Sequence, residues 1–93
     1  MAKFYAVLIN QAGGTVVPND RIEACLSGAV RDWMRFNAGQ YIVTSDLSAE
    51  AIYRSISSVL PPPSRILVSA VDIRDRHGWA DDIVVEWVKR YAP

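Results

Sequence analysis

The spacing of hydrophobic and polar residues changes repeatedly along the chain, and each change predicts a new element of secondary structure. Residues Lys3–Asn10 (KFYAVLIN) are rich in β-forming residues and apolar at six consecutive positions. A strand that is apolar on both faces is typical of the centre of a sheet. The polar stretch 10–18 then predicts a loop, in which Gly13 and Gly14 are free to take positive φ.

A first helix is predicted to begin near Asn19 or Asp20, because an apolar residue then recurs every three to four positions. Asp20 and Glu23 have the spacing of a capping box, with aspartate as the capping residue. The apolar stripe of this helix comprises Ile22, Leu26, Ala29 and Val30. The end of this helix has two interpretations. In the first, the helix runs on to Phe36 and ends at Gly39, and in the second, it ends near Arg31 and a strand follows.

The strand interpretation is preferred for Asp32–Phe36. The tetrapeptide NAGQ that follows resembles a hairpin turn, and YIVTS after it has the composition of a second strand. A hairpin gives Tyr41–Ser45 a partner that is adjacent in sequence, whereas a continuous helix leaves that strand without one.

The second half of the chain predicts a helix, a strand and a terminal helix. Ser48 is placed to cap the helix, Glu50 favours its N-terminal end, and the prolines at 61–63 stop it. Arg65–Ile73 alternates as a strand. The terminal helix has its apolar stripe at Ala80, Val84, Trp87, Val88 and Tyr91, with Asp81 and Asp82 in its first turn.

This order predicts one α+β domain spanning residues 1–93, with a ferredoxin-like βαββαβ sheet and an additional C-terminal helix. Two crossover connections place the two main helices on one face of an antiparallel sheet. Only the terminal helix or a second subunit is then left to cover the other face. We therefore expect a homodimer, formed through that face or through a sheet edge.

Composition narrows the function classes. Ten basic residues balance ten acidic ones, so the charge balance does not support nucleic-acid binding by a basic tail. The chain has one cysteine, Cys25, and no apolar run long enough for a membrane span. With no signal peptide evident, these features predict a cytoplasmic protein without a cofactor, a metal site or a membrane contact.

Three segments together resemble a known family. DWMRFNAGQYIVTSDLSAEAIYRSI is similar to a tryptophan-bearing strand, a hairpin and a strand running into a T-D-x-S-A helix start. RILVSAVD and GWADDIVVEWVKR are similar to a last strand and a C-terminal Gly-Trp helix. The pattern resembles the SinR-like small ferredoxin-like proteins, distant relatives of the small CRISPR adaptation protein and of virulence-associated endoribonuclease toxins. It covers roughly residues 32–90.

The resemblance has one consequence for catalysis. Nuclease members of this superfamily are similar in carrying an aspartate at the end of the first strand, where it supports metal-dependent phosphodiester cleavage. Asn10 occupies the matching position here. An amide is not a charged ligand for Mg²⁺, which prefers carboxylate oxygens. The resemblance therefore supports the fold and weakens the nuclease hypothesis.

Other candidate sites have a structural explanation that we prefer. Gly13 and Gly14 lack the lysine of a phosphate-binding loop, and His77 lies among acidic residues typical of a helix start. Cys25 lies inside the first helix without a basic partner. Ser45 and Asp46 with His77 would make a hydrolytic set only if the fold brought the three together. The sequence therefore identifies no catalytic residue.

Two groups of residues are candidates for binding. An aromatic group predicts a dimer or packing face, with base stacking as the alternative; it comprises Tyr5, Trp33, Tyr41, Trp79 and Trp87. A basic group is the candidate set for phosphate contacts; it comprises Arg31, Arg35, Arg65, Arg74 and Arg76. The first hypothesis is a non-catalytic domain that acts through self-association and a macromolecular partner, for which a protein is a candidate. The alternatives are a nucleic-acid-binding protein or metal-dependent nuclease, and a toxin–antitoxin component.

Overall fold

Seven elements follow one another in the order that the hydrophobic pattern predicts. The computed structural model describes residues 2–11 and 16–93. The elements are β1 (Lys3–Asn10), α1 (Asn19–Ala29), β2 (Asp32–Asn37), β3 (Gln40–Ser45), α2 (Ala49–Ser57), β4 (Arg65–Val71) and α3 (Asp82–Tyr91). The described residues thus form an α+β fold with four strands and three helices.

The four strands form one antiparallel sheet in the order β2-β3-β1-β4. β1 lies between β3 and β4, with Val7 opposite Tyr41 on one side and Val68 on the other. The central position predicted for β1 is confirmed. On one face of β1, Tyr5 and Val7 lie in the main core. On the other face, Phe4 contacts Trp87 of α3, whereas Leu8 is exposed.

The main hydrophobic core lies between the sheet and the pair α1 and α2. Tyr5 and Val7 of β1 meet Ile22 of α1 and Ile52 of α2 in this core. These helical residues are fully buried, as the predicted apolar stripes require. The predicted placement of the two main helices on one face of the sheet is confirmed.

α3 packs against the opposite face, which we call the reverse face. A second core forms there from Met34, Trp87 and Val88, with Phe4 and Ile42 partly buried beside it. The rings of Phe4 and Trp87 meet edge to face, with centroids 6.4 Å apart. The terminal helix therefore covers the part of the reverse face formed by β2 and β3.

The segment after α1 is a strand, as preferred from the sequence. β2 and β3 form a hairpin in which Trp33 lies opposite Val43. Gly39 closes the turn with φ +74°, a conformation that glycine takes without steric cost. A Cβ atom there would come within 2.4 Å of the Ile9 carbonyl oxygen, so the turn also needs glycine for close packing against β1.

Three predicted details are wrong, namely the capping of α1, the end of β4 and the start of α3. Pro18 occupies the N-cap of α1 and no side chain caps that helix. The predicted capping box fails because Asp20 lies within the first turn of α1 and not at its N-cap, and the Glu23 carboxylate accepts a hydrogen bond from Tyr41. β4 ends at Val71 rather than Ile73, because the chain turns at Asp72.

The third correction concerns the start of α3. The helix begins at Asp82 rather than Ala80, with Asp81 as its N-cap, and the Asp81 side chain accepts a hydrogen bond from the Val84 N–H. The predicted cap of α2 is confirmed, because the Ser48 hydroxyl accepts a hydrogen bond from Ala51 at 3.2 Å. Within the described part of the chain, none of the helices has the length and apolar character needed to cross a membrane.

Candidate interaction surface

α3 leaves the other half of the reverse face uncovered. Alternation along β1 and β4 places Leu8, Leu67, Ser69 and Val71 on this half, and we call these four residues the β1–β4 strip. The three apolar side chains are 44%, 58% and 37% exposed, respectively. Leu8 and Leu67 lie directly opposite each other in the register. The strip therefore exposes three large apolar side chains, with Ser69 between Leu67 and Val71, along one edge of the sheet.

The position of α3 is fixed by hydrogen bonds to the start of β2. The Asp32 carboxylate accepts one from the Trp87 indole at 3.2 Å and one from the Tyr91 hydroxyl at 2.5 Å. A third comes from the Trp33 backbone N–H. Charged acceptors form stronger hydrogen bonds than neutral ones. The two hydrogen bonds from Trp87 and Tyr91 therefore hold α3 against β2, away from the β1–β4 strip.

The Tyr91 hydroxyl is held in its protonated state by this arrangement. Donation to Asp32 raises the pKa of Tyr91 above its ordinary value, and burial and the negative charge of Asp32 add to the effect. A phenolate there would lose the hydrogen bond and face a carboxylate. The contact between α3 and β2 thus depends on a neutral tyrosine.

The aromatic residues selected from the sequence as a dimer or packing face are divided between two cores and the surface. Tyr5 and Tyr41 are buried in the main core, and Trp33 packs against the same core. Trp87 lies in the second core on the reverse face. Trp79 is 93% exposed. Strand alternation separates them, since Tyr5, Trp33 and Tyr41 share the face that α1 and α2 cover.

Tyr41 links the hairpin to α1. Its hydroxyl donates to Glu23 at 2.9 Å, and the same carboxylate oxygen lies 3.3 Å from Arg35. Burial raises the pKa of Tyr41, and the bond to Glu23 adds to the increase. The Trp33 ring meets Tyr41 edge to face, and its indole donates to Ser27 of α1. Tyr41 and Trp33 therefore attach α1 to the sheet.

The five candidate arginines also lie apart from one another. Arg65 lies opposite Asn10 at one end of β1, whereas Arg31 and Arg74 lie beside Lys3 at the other end. Arg35 pairs with Glu23 on the helix-covered face. Arg76 donates to the Ile73 carbonyl in the segment after β4. The fold therefore separates the proposed phosphate contacts, with one exception.

The exception is a groove of about 620 Å³ at the end of the sheet where β1 begins. Lys3, Arg31 and Arg74 line it together, with Asp72 as its acidic residue and Tyr91 as a wall. Arg31 also forms an ion pair with Asp46 at 3.0 Å. Lys3 was not selected from the sequence, because only the fold places it beside two arginines that are distant along the chain.

The structure assembles no catalytic set from the other candidate residues. Ser45 is buried, and its oxygen accepts a hydrogen bond from the Leu47 N–H, while Asp46 pairs with Arg31. Cys25 packs against the main core. Among residues 2–11 and 16–93, no three His, Cys, Asp or Glu side chains are grouped so that they would hold a metal ion. His77 is therefore not part of such a group.

Two candidates from the sequence lie near the end of β1, namely Asn10 and the glycine pair Gly13 and Gly14. Asn10 is exposed at the last position of the strand, where the resemblance places it. Gly13 and Gly14 lie outside the described residues. The flanking chain is tied together by the Gln11 amide, which donates to the Val17 carbonyl at 2.9 Å and accepts from the Val17 N–H at 2.7 Å.

A second exposed apolar group surrounds the N-terminal part of α3. Trp79, Ile83 and Phe36 are the most exposed of its members. Trp79 and Phe36 line a cavity of about 480 Å³, together with Val85 and His77. Tryptophan is enriched at protein contacts that contribute most to binding. The sequence pattern did not separate Trp79 from the buried tryptophans, because composition alone does not distinguish a loop residue from a core residue.

Comparisons with known proteins give no match. No protein-family model matches this chain, and neither a curated protein nor a solved structure matches it significantly.

Proposed function

We propose that this protein is a non-catalytic ferredoxin-like domain that works by self-association, and that the associated form binds a macromolecular partner. The observation that carries the proposal is the uncovered β1–β4 strip, in which three large apolar side chains face solvent. A contiguous apolar patch on a small domain is typical of an interaction site.

The ferredoxin-like assignment within this proposal has two supports. The strand order is β2-β3-β1-β4 with every neighbouring pair antiparallel, and both α1 and α2 lie on one face. A split βαβ arrangement predicts both features. The kinship to SinR-like proteins is part of the proposal and rests on the motifs quoted above, with Asn10 at the end of β1.

The partner-binding part of the proposal is supported by Trp79 and Ile83. Both are large apolar residues that the subunit leaves exposed, and they lie at the N-terminal end of α3 rather than on the β1–β4 strip. Self-association through the strip therefore leaves this second surface accessible to a different protein.

Light scattering coupled to size-exclusion chromatography tests the self-association. We expect the wild-type protein to elute with the mass of a dimer, and L67K to shift it towards a monomer, because a charge on the strip cannot be buried without cost. I83K is the matched control, since it also replaces an exposed apolar residue but lies on α3. A wild-type mass that stays monomeric at all concentrations contradicts the proposal.

A second candidate function is nucleic-acid binding, and the groove lined by Lys3, Arg31 and Arg74 favours it. Cations that converge on one groove contact successive phosphates, and their affinity falls steeply with salt. Fluorescence anisotropy with a single-stranded RNA and a duplex DNA at low salt measures this. We expect R31A and R74A to weaken binding and R54A, on α2, to leave it unchanged. No anisotropy change with either nucleic acid excludes this function.

A further inference from the structure

The two edges of the sheet differ in how they are protected from pairing. The β2 edge contains Asp32 and Arg35, has a bulge between Arg35 and Asn37, and packs against α3. Charges, bulges and covering helices are the features that keep an edge strand from pairing with another chain. β2 is therefore a protected edge.

Among the described residues, the outer edge of β4 is less protected, since it has no bulge and a single charge at one end. Its seven residues, RILVSAV, carry one charge, at Arg65, and contain neither proline nor lysine. β4 pairs with β1 in a regular register from Arg65 to Val71, without a bulge. A long, flat and apolar edge of this kind is a template for a further strand.

We propose that this further strand is β4 of a second copy, running antiparallel, with Ser69 of the two copies opposite each other on the two-fold axis. The inference rests on the proposed function, since it requires self-association, and it places the contact at the outer edge of β4 beside the β1–β4 strip, whose side chains project from the reverse face. The axis is perpendicular to the sheet, so the two sheets join into one with α1 and α2 of both copies on the same face. The contact is isologous, as two-fold symmetry requires.

Complementarity of side chains selects this register. With Ser69 on the axis, Leu67 lies opposite Val71 of the partner subunit, and Val68 lies opposite Ala70 of the partner subunit. Apolar side chains directly opposite each other stabilise a strand pair. Centring the pair on Val68 instead would place Leu67 opposite Ser69 of the partner subunit and Val71 opposite Arg65 of the partner subunit. The register centred on Ser69 therefore pairs apolar residues with apolar residues.

Disulfide cross-linking tests the register. Residues opposite each other on neighbouring antiparallel strands have Cβ atoms about 4.5–5.5 Å apart, which small movements bring within disulfide reach. In a C25A background, we expect S69C to form a covalent dimer under mild oxidation. C25A/S58C is the matched control, because Ser58 is also an exposed serine but follows α2 rather than lying on β4, and it should stay uncross-linked.

The outcomes separate this inference from the proposed function. A dimer by light scattering without an S69C cross-link overturns the β4 register and leaves self-association standing. A monomer by light scattering overturns both.

Discussion

The Tyr91 hydroxyl donates a hydrogen bond to the Asp32 carboxylate across 59 positions of the chain. Together with the bond from Trp87, it joins the last helix to the first residue of β2. This contact decides which half of the reverse face is covered, and therefore which half remains available to a second subunit.

Removing the Tyr91 hydroxyl should destabilise the protein. Y91F deletes a hydrogen bond to a charged group, and we expect the free energy of unfolding to fall by about 1–2 kcal/mol. D32A should lower the free energy of unfolding further, because it leaves the donors of both Trp87 and Tyr91 without their acceptor. Urea denaturation followed by circular dichroism measures both. Y53F, at a tyrosine that is 43% exposed, should change stability by less than about 0.5 kcal/mol. Equal effects of Y91F and Y53F would argue against the contact.

Replacing Gly39 should be costly, whereas replacing Gly28 should not. G39A forces a side chain into positive φ and within 2.4 Å of the Ile9 carbonyl oxygen, so we expect a loss of at least about 1 kcal/mol. G28A places a better helix former near the end of α1, where a Cβ atom meets nothing within 4 Å. It should raise the free energy of unfolding by about 0.5–1 kcal/mol. Thermal denaturation of the two variants gives shifts of opposite sign if this holds.

Alkaline pH should destabilise the protein through Tyr41. Its pKa is raised in the folded state from the ordinary value of 10.0. The folded protein therefore holds the proton more tightly than the unfolded chain. The stabilisation is complete below about pH 10 and is lost as the pH rises towards the folded-state pKa. Tyr91, whose pKa is also raised, acts in the same direction.

The test compares the slopes of stability against pH. Above about pH 10, Y41F should lose stability less steeply than the wild type, by up to about 1.4 kcal/mol per pH unit. Y53F is the control and should follow the wild-type slope. If Y41F and the wild type have the same slope, the buried Tyr41–Glu23 bond does not control the alkaline transition.

The Ser48 cap should contribute measurably to α2. S48A removes the acceptor for the Ala51 N–H, and we expect the free energy of unfolding to fall by about 1 kcal/mol. S48G should lower the free energy of unfolding by only about 0.3 kcal/mol, because glycine is also favoured at an N-cap. S58A, at the exposed C-terminal end of the same helix, serves as the control. A loss from S58A as large as that from S48A would show that capping is not the cause.

Predictions from the sequence succeeded where the determinant is local. The periods of apolar residues predict all seven elements. Ser48 is predictable as a cap because a serine hydroxyl just before a helix can accept a hydrogen bond from a backbone N–H of the first turn. The hairpin was preferred because NAGQ is a local turn signal. The capping box at Asp20 and Glu23 does not form because α1 begins at Asn19, which puts Asp20 inside the first turn, and no local pattern indicated that Glu23 would bond the distant Tyr41.

The candidate binding residues were harder to predict, for the same reason. Arg31 and Arg74 are 43 positions apart in the numbering, yet they line one groove with Lys3. Arg65, which belongs to the same predicted group, lies at the other end of the sheet. These arginines are candidates because of their positive charge, but only the pairing of the strands shows which of them lie next to each other.

The sequence by itself determined the order of the elements, the apolar stripes of the helices and the central character of β1, because periodicity and turn chemistry act over a few residues. Tertiary structure decided that α3 covers β2 and β3 but leaves the β1–β4 strip exposed. That choice depends on Asp32 meeting Trp87 and Tyr91, and contacts across more than 50 residues follow from how the chain packs rather than from any local pattern.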